Sequence, residues 1–221
     1  MPIFDKHNLL FIHIPKTAGG SVESVLSELS NQKLNSRHII FDRLARFNEL
    51  RQNQSRMLFG IDSKRLVLQH LTPMEMVGLG YLSAQQYKKL NRFTVIRDPV
   101  NRAISQYFSH RRHQKYENFQ EFIDKFIFGE LTSHNDISHR RPQSDFLWLN
   151  GKLDEDIKLI QFEKLDIELK NYLSQFGLTI QTLPHKNPAS IKPTDFTISQ
   201  KSRLKLEDYY FADFNLWHSI S

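Results

Sequence analysis

The chain has 221 residues, sets 30 Lys and Arg against 24 Asp and Glu for a formal charge of +6, and contains no cysteine. That length is enough for a proper core and falls near the upper end of one domain, so residues 1–221 read as a single domain. The charge favours anionic ligands, among which nucleic acid, a nucleotide cofactor and an acidic glycan all fit, while the missing cysteines exclude disulfides, thiol chemistry and a Cys-based zinc site.

The start, MPIFDKHNLLF, reaches the first apolar run within a few residues and fits no signal-peptide pattern. No apolar run approaches the ~20 residues of a membrane span. LLFIHI, from Leu9, reads as a buried strand, PKTAGGS as a breaker-rich turn, and SVESVLSEL as an amphipathic helix with Val22, Val25, Leu26 and Leu29 on one side. Residues 31–55 are polar, and FDRLARFNEL from Phe41 reads as a short helix. SRMLFGI and SKRLVLQH, the second ending at His70, read as strands divided by Gly60 and Asp62. Thr72-Pro73 starts a helix with Thr72 as its cap, and LSAQQYKKL forms another.

RFTVIRDPVNRAISQYFSHRRH repeats the opening's logic: a β-branched FTVI run, a break at Asp98-Pro99, and a helical stripe of Val100, Ile104, Tyr107 and Phe108. Phe119 to Phe128 reads as an amphipathic helix, Gly129 to Pro142 as a polar exposed loop, and Gln143 to Leu149 as renewed apolar periodicity. IKLIQFEKL is a strand passing into a helix over Ile167 to Phe176. After the breaker-rich LPHKNPASIKPTD, a closing helix runs through Leu204, Leu206 and Tyr209. Strands alternating with helices predict an α/β fold with a largely parallel sheet.

The two strand–turn–helix units concentrate the chemistry. In the first, Gly19 and Gly20 allow a sharp turn, backbone amides and a helix N-terminus face an anion, Lys16 adds a charge, and Thr17 and Ser21 add hydroxyls. The plainer alternative is a capped helix start, with Ser21 as N-cap and Lys16 solvated. In the second, Arg97 ends the FTVI run at the edge where open α/β sheets place ligands, and Ser105 follows within two turns of helix. A planar guanidinium suits a phosphate dianion through two parallel charge-assisted bonds. The alternative is a surface Arg beside a turn Asp98. His70 closes an apolar run, and a reference pKa of ~6.5 leaves an imidazole free to take a proton near neutrality; a structural histidine is the alternative.

IPKTAGGS and VIRDPVNRAISQYF together resemble the donor-binding signatures of sulfotransferases that use 3′-phosphoadenosine-5′-phosphosulfate (PAPS), in the carbohydrate branch of heparan and chondroitin 2-O-sulfotransferases. The first is not a Walker A loop, where the Lys follows the glycines. The resemblance implies a P-loop-like three-layer sandwich with a central, mainly parallel sheet flanked by helices. It implies that Lys16 contacts the 5′-phosphosulfate and assists its departure, and that Thr17, Ala18, Gly19, Gly20 and Ser21 wrap the 5′-phosphate. It also implies that Arg97 and Ser105 bind the 3′-phosphate and that His70 is the catalytic base. Two departures stand out: Gly20 replaces a Thr common in the family, and Gln69 rather than Gly precedes His70. Arg102 belongs to the second signature, with holding its helix or pairing with an acid as the alternative; His13 shapes the loop, and Glu163 is a structural carboxylate. PQSDFLW, FEKLDIELKNYLSQFGL, LPHKNPAS and YYFADFNLW resemble later family segments, which extends the likeness over nearly the whole chain and brings Gln143, Lys186 and Asn187 toward donor or acceptor.

The expectation is therefore a PAPS-dependent sulfotransferase that sulfates a hydroxyl of a carbohydrate acceptor, releases adenosine 3′,5′-bisphosphate and needs no metal. Animal secretory members usually carry a membrane anchor and disulfides; their lack here implies a soluble, bacterial-type, cytoplasmic member with no membrane span. The basic clusters HRRHQK, from His110, and HRRP, from His139, are either solvated or steer an anionic acceptor. Neither has the aromatic interleaving of an RNA-binding module, so no nucleic-acid partner is expected. Two rivals remain: a P-loop-type kinase or phosphotransferase, opposed by the Lys position and the want of a Mg²⁺-binding carboxylate arrangement, and a non-catalytic anion- or glycan-binding protein of the same fold.

Overall fold

The NRFTVI run forms β6 (Asn91–Ile96), the middle one of three parallel strands in the main sheet, with every residue after Asn91 buried. The computed structural model describes residues 2–4, 7–29, 67–184 and 196–220, with three short pairs at 39–40, 56–57 and 61–62. β2 (Leu9–Ile12) lies parallel to β6 on one side, Leu9 opposite Asn91, and β9 (Lys158–Gln161) lies parallel on the other, Phe93 opposite Lys158. β1 (Pro2–Phe4) adds to β2 and β4 (Arg56–Met57) to β1, both antiparallel, which gives the order β4-β1-β2-β6-β9. The sheet is thus parallel at its centre and antiparallel at one edge; β1 is too short for periodicity to reveal. β3 (Ile39–Ile40) and β5 (Ile61–Asp62) form a separate parallel pair, and β7 (Trp148–Leu149) and β8 (Lys152–Leu153) a small hairpin.

Strand alternation assigns the two faces. Leu9, Phe11, Phe93 and Val95 pack with Val22, Val25 and Leu26 of α1 (Gly19–Leu29) and with Leu169 and Leu173 of α7 (Leu165–Ser174). Leu10, Ile12 and Ile96 pack on the opposite side with Met76 of α2 (Pro73–Gly78), Tyr87 of α3 (Ala84–Lys88) and Trp217 of α9 (Phe211–Ile220). The result is an α/β fold with a central sheet flanked by helices. A further cluster joins α4 (Pro99–Phe108), α5 (Phe119–Phe122) with the π-helical turn Ile123–Ile127, and α8 (Gln200–Tyr209). α2 and α4 begin where their caps predict: Thr72 forms a reciprocal capping box with Glu75, and Asp98 accepts from the amide of Asn101 at 2.7 Å.

Several expectations change. The end of the SKRLVLQH run is a 3₁₀ turn, Leu68–His70, not a strand: Leu68 and Leu71 are apolar because they fill the core, not because they line a pleat. Residues 129–142 are not simply an exposed loop, since α6 (His134–Arg140) lies there with Ser138 and His139 buried. Ser133 accepts from the amide of Asp136, a Ser-x-x-Asp start signal present in the sequence. The closing helix is two, α8 and α9. The helix expected from Phe41, the first residues of SKRLVLQH, Lys186 and Asn187 lie outside the described residues. No helix among the described residues is long and apolar enough to cross a membrane.

Arg102 of α4 joins these parts. Buried, it donates from Nε to the Pro15 carbonyl at 3.0 Å and from Nη2 to the carbonyls of Arg141 at 2.9 Å and His139 at 3.3 Å, with Nη1 3.9 Å from Asp213. Asp213 in turn accepts from the amides of Gln143 and Ser144 at 2.7 and 2.8 Å. Arg102→Met should strand these acceptors and cost about 3–5 kcal/mol. Urea unfolding should show a lower midpoint with unchanged slope; a variant as stable as the parent contradicts this role.

Candidate active site

Between β2 and α1 the chain takes two left-handed residues, Lys16 at φ 70° and Ala18 at φ 64°. Neither is glycine, so each costs on the order of 1–2 kcal/mol. Side-chain donors offset this by seizing three successive carbonyls: Thr17 Oγ1 donates to Ile14 at 2.9 Å, Arg102 to Pro15, and Arg97 Nη1 to Lys16 at 3.1 Å. The Thr17 amide closes a tight turn over Pro15 and Lys16, those of Ser21 and Val22 close on the Ala18 carbonyl, and those of Lys16, Ala18, Gly19 and Gly20 meet no acceptor among the described residues. Free amides at a helix start form an anion cradle.

The glycines act otherwise than the sequence suggests. The sharp turning falls to Lys16 and Ala18, and α1 starts at Gly19, which rules out Ser21 as its N-cap. Gly19 is required because a Cβ there would lie 1.9 Å from Nε2 of His13. The His13 ring seats against that bare backbone, with Nδ1 2.7 Å from Glu23 Oε1, so His13 does shape the loop.

Arg97 leaves β6 with its backbone clasped by Gln143, whose Oε1 accepts from the Arg97 amide at 3.0 Å and whose Nε2 donates to its carbonyl at 2.8 Å. The guanidinium lies 4.1 Å over the Phe162 ring, and its Nε is buried without a hydrogen-bond partner. Ser105 is half-buried on α4, and no hydrogen bond ties it to this group among the described residues. Beside Arg97 a cavity of about 540 Å³ is lined by Asp98, Asn101, Ile104, Glu163, Phe196 and Trp217.

Sequence reasoning missed a third cation. His110 and Arg111 occupy consecutive left-handed conformations, φ 51° and 55°. Arg112, next in the chain, is buried against Asp136 at 2.5 Å and over the Phe126 ring at 4.9 Å. Burial first, then Arg112 and Arg97, lowers the Lys16 pKa to about 8. The HRRHQK cluster is thus only partly a solvated patch.

His70 sits among other histidines. Its Nδ1 lies 3.3 Å from the His13 carbonyl, which only accepts, so Nδ1 carries the proton and Nε2 the lone pair. The His70 ring meets His13 edge-on at 4.6 Å and His139 at 5.0 Å, and His139 meets His110 at 6.2 Å. Burial, then the neighbouring His13 and His139, holds the His70 pKa well below its ordinary value. His139, which the sequence offers as the start of a basic cluster in a supposed exposed loop, is buried, bonds Gln106 through Nδ1 at 2.8 Å and is likewise pushed well down, by burial and then by Arg112 and Lys16. Glu75 braces the turn: it grips Arg141 through both oxygens at 2.9 and 2.8 Å and accepts from the Thr72 amide at 2.8 Å.

Lys16 sets a pH dependence. Its lowered pKa leaves it fully charged well below pH 8 and progressively neutral above, and an anion favours the charged form. Affinity for adenosine 3′,5′-bisphosphate should therefore hold from pH 7 and fall as pH rises through about 8, by up to about tenfold per unit. Lys16→Arg should flatten the profile. Calorimetric titration from pH 7 to 9.5 checks both; a flat parent profile contradicts the assignment.

The sequence profile of the sulfotransferase family matches residues 1–218. Comparison with individually curated proteins finds no match. The family match spans the Lys16 loop, the His70 turn, the Arg97–α4 unit and the closing helices together, and on that extent the chain belongs to the sulfotransferase family.

Proposed function

We propose that the protein transfers the sulfuryl group of PAPS to a hydroxyl of a carbohydrate acceptor, with His70 as general base and Lys16 on the leaving-group side. The family supports sulfotransferase chemistry with a PAPS-type donor. The observation that carries the finer reading is the bond from Arg97 Nη1 to the Lys16 carbonyl, which makes one wall of two loop–helix units. The site's chemistry fits a ligand with two separated phosphates: open amides and an ammonium in one unit, and a half-buried guanidinium with an unused Nε in the other. In this reading Lys16, Thr17, Ala18, Gly19, Gly20 and Ser21 hold the 5′-phosphate, and Arg97 with Ser105 holds the 3′-phosphate.

The donor supplies an activated sulfuryl group and a phosphate that departs. The chain's residues do the rest. His70 Nε2 takes the proton of the acceptor hydroxyl as the oxygen–sulfur bond forms, its Nδ1–H steadied by the His13 carbonyl. The Lys16 ammonium faces the charge left on the phosphate, and preorganised amides share it. Arg112 and His139 lie within electrostatic reach of Lys16. The basic surroundings suit an acidic glycan, and a cytoplasmic, single-domain enzyme is part of the same proposal.

Adenosine 3′,5′-bisphosphate should bind in magnesium-free buffer and more tightly than AMP. Arg97→Ala removes a charged hydrogen-bond donor worth roughly 1.5–3 kcal/mol, so bisphosphate binding should weaken about tenfold or more while AMP binding barely changes. Equal losses for both ligands would show that Arg97 supports the pocket rather than the 3′-phosphate.

His70→Ala should lower single-turnover sulfate transfer by about 10² to 10⁴ with bisphosphate affinity unchanged. Because burial depresses the His70 pKa, the parent's acid limb should fall below pH 6.5, the ordinary histidine value. A mutant that keeps both the rate and the acid limb removes His70 from the chemistry.

A further inference from the structure

Glu23 lies on the second turn of α1, beneath the cradle, and is 1% exposed. Both carboxylate oxygens are committed: Oε1 is 2.7 Å from His13 Nδ1, and Oε2 accepts from Gln69 Nε2 at 2.6 Å. Each partner is attached to His70. His13 supplies the carbonyl that receives the His70 Nδ1–H and stands edge-on to its ring, while Gln69 is its neighbour in the Leu68–His70 turn. Two routes therefore run from one carboxylate to one imidazole, through a side chain and its own backbone on one side and through the turn on the other.

We propose that Glu23, acting through His13 and Gln69, is a positioning residue that fixes the tautomer and placement of His70 relative to the anion cradle. The inference rests on the reading of His70 as the base. It also accounts for Gln69: a glycine in its place has no amide to reach Oε2, so the departure at this position belongs with Glu23. A carboxylate beneath an anion site opposes the ligand by its charge, and its retention there follows from what it holds. Because the carboxylate rides on the helix whose N-terminal amides form the cradle, the turn that carries the base is tied to the same helix as the donor site. A displacement of ~1 Å at a reacting group can cost about 10²-fold in rate.

The test is a swap. Gln69→Glu alone sets two carboxylates against each other at the 2.6 Å contact, whereas Glu23→Gln with Gln69→Glu restores an amide facing a carboxylate. The carbonyl oxygen of the amide introduced by Glu23→Gln can still accept from His13. The readouts are single-turnover transfer, bisphosphate affinity, and the imidazole ¹⁵N signals that report which His70 nitrogen carries the proton. Gln69→Glu should slow transfer about tenfold or more and shift His70 away from the Nδ1–H signature, with bisphosphate affinity within about twofold. The double variant should recover rate and signature together. A Gln69→Glu protein with parental rate and signature, or a double variant that recovers neither, overturns the inference. If Gln69→Glu does not fold, Gln69→Gly provides the loss: it should slow transfer and loosen the signature, and parental behaviour there also overturns the inference. His70→Ala separates the two claims, since retention of its rate defeats the base reading while the ¹⁵N signals still judge the positioning.

Discussion

The Arg102 guanidinium is 2% exposed and ends on backbone carbonyls from three places, Pro15, His139 and Arg141, with the Asp213 carboxylate alongside. A buried charge is tolerated only where such partners surround it. Here those partners are the cradle loop, the end of α6 and the start of α9, so the cost of burying one cation is met by locking the walls of the site together. Asp213 extends the same lock through the amides of Gln143 and Ser144, and the Gln143 side chain then clasps Arg97. Distant elements thus reach the ligand-facing groups through backbone carbonyls and amides.

Around this lock the site concentrates positive charge at the expense of stability. Lys16, Arg97 and Arg112 lie within electrostatic reach, and two of them are satisfied incompletely or at a lowered pKa. The left-handed Lys16, Ala18, His110 and Arg111 add strain on the two sides of the same region. Strain and unpaired charge gathered in one place fit the proposed anion-binding role. Burial, together with the same cations, keeps His139 and His110 below their ordinary pKa. With His70 also held down, these three imidazoles are uncharged near neutrality, as proton acceptance requires.

Much of the fold was legible because its signals are local. β2, β6, α4 and α2 follow from apolar runs and from Pro99, Asp98, Thr72 and Pro73 at their starts. The sequence also singles out Lys16, Thr17, Gly19 and Arg97, and the structure brings the Lys16 loop and Arg97 into direct contact. What stayed hidden depends on partners far away in sequence. His139 is buried with its Nδ1–H donating to Gln106 Oε1, 33 residues earlier, and the polar stretch around it folds because Arg102 and Glu75 need its carbonyls and Arg141. The Leu68–His70 turn looked like a strand because core filling and pleating use the same residues. The need for Gly19 came from the His13 ring, not from its own torsion. Ser105 was legible as a motif residue, but no hydrogen bond ties it to the other candidate residues among the described residues.

The central claim is that the Lys16 cradle and the Arg97 unit hold the two phosphates of one nucleotide. A crystal structure with adenosine 3′,5′-bisphosphate tests it most directly. The account requires the 5′-phosphate in the cradle of residues 16–21 with Lys16 against it, and the 3′-phosphate within hydrogen-bond distance of Arg97 and Ser105. A nucleotide bound in the reverse sense, or bound with Arg97 contacting no phosphate, would contradict it.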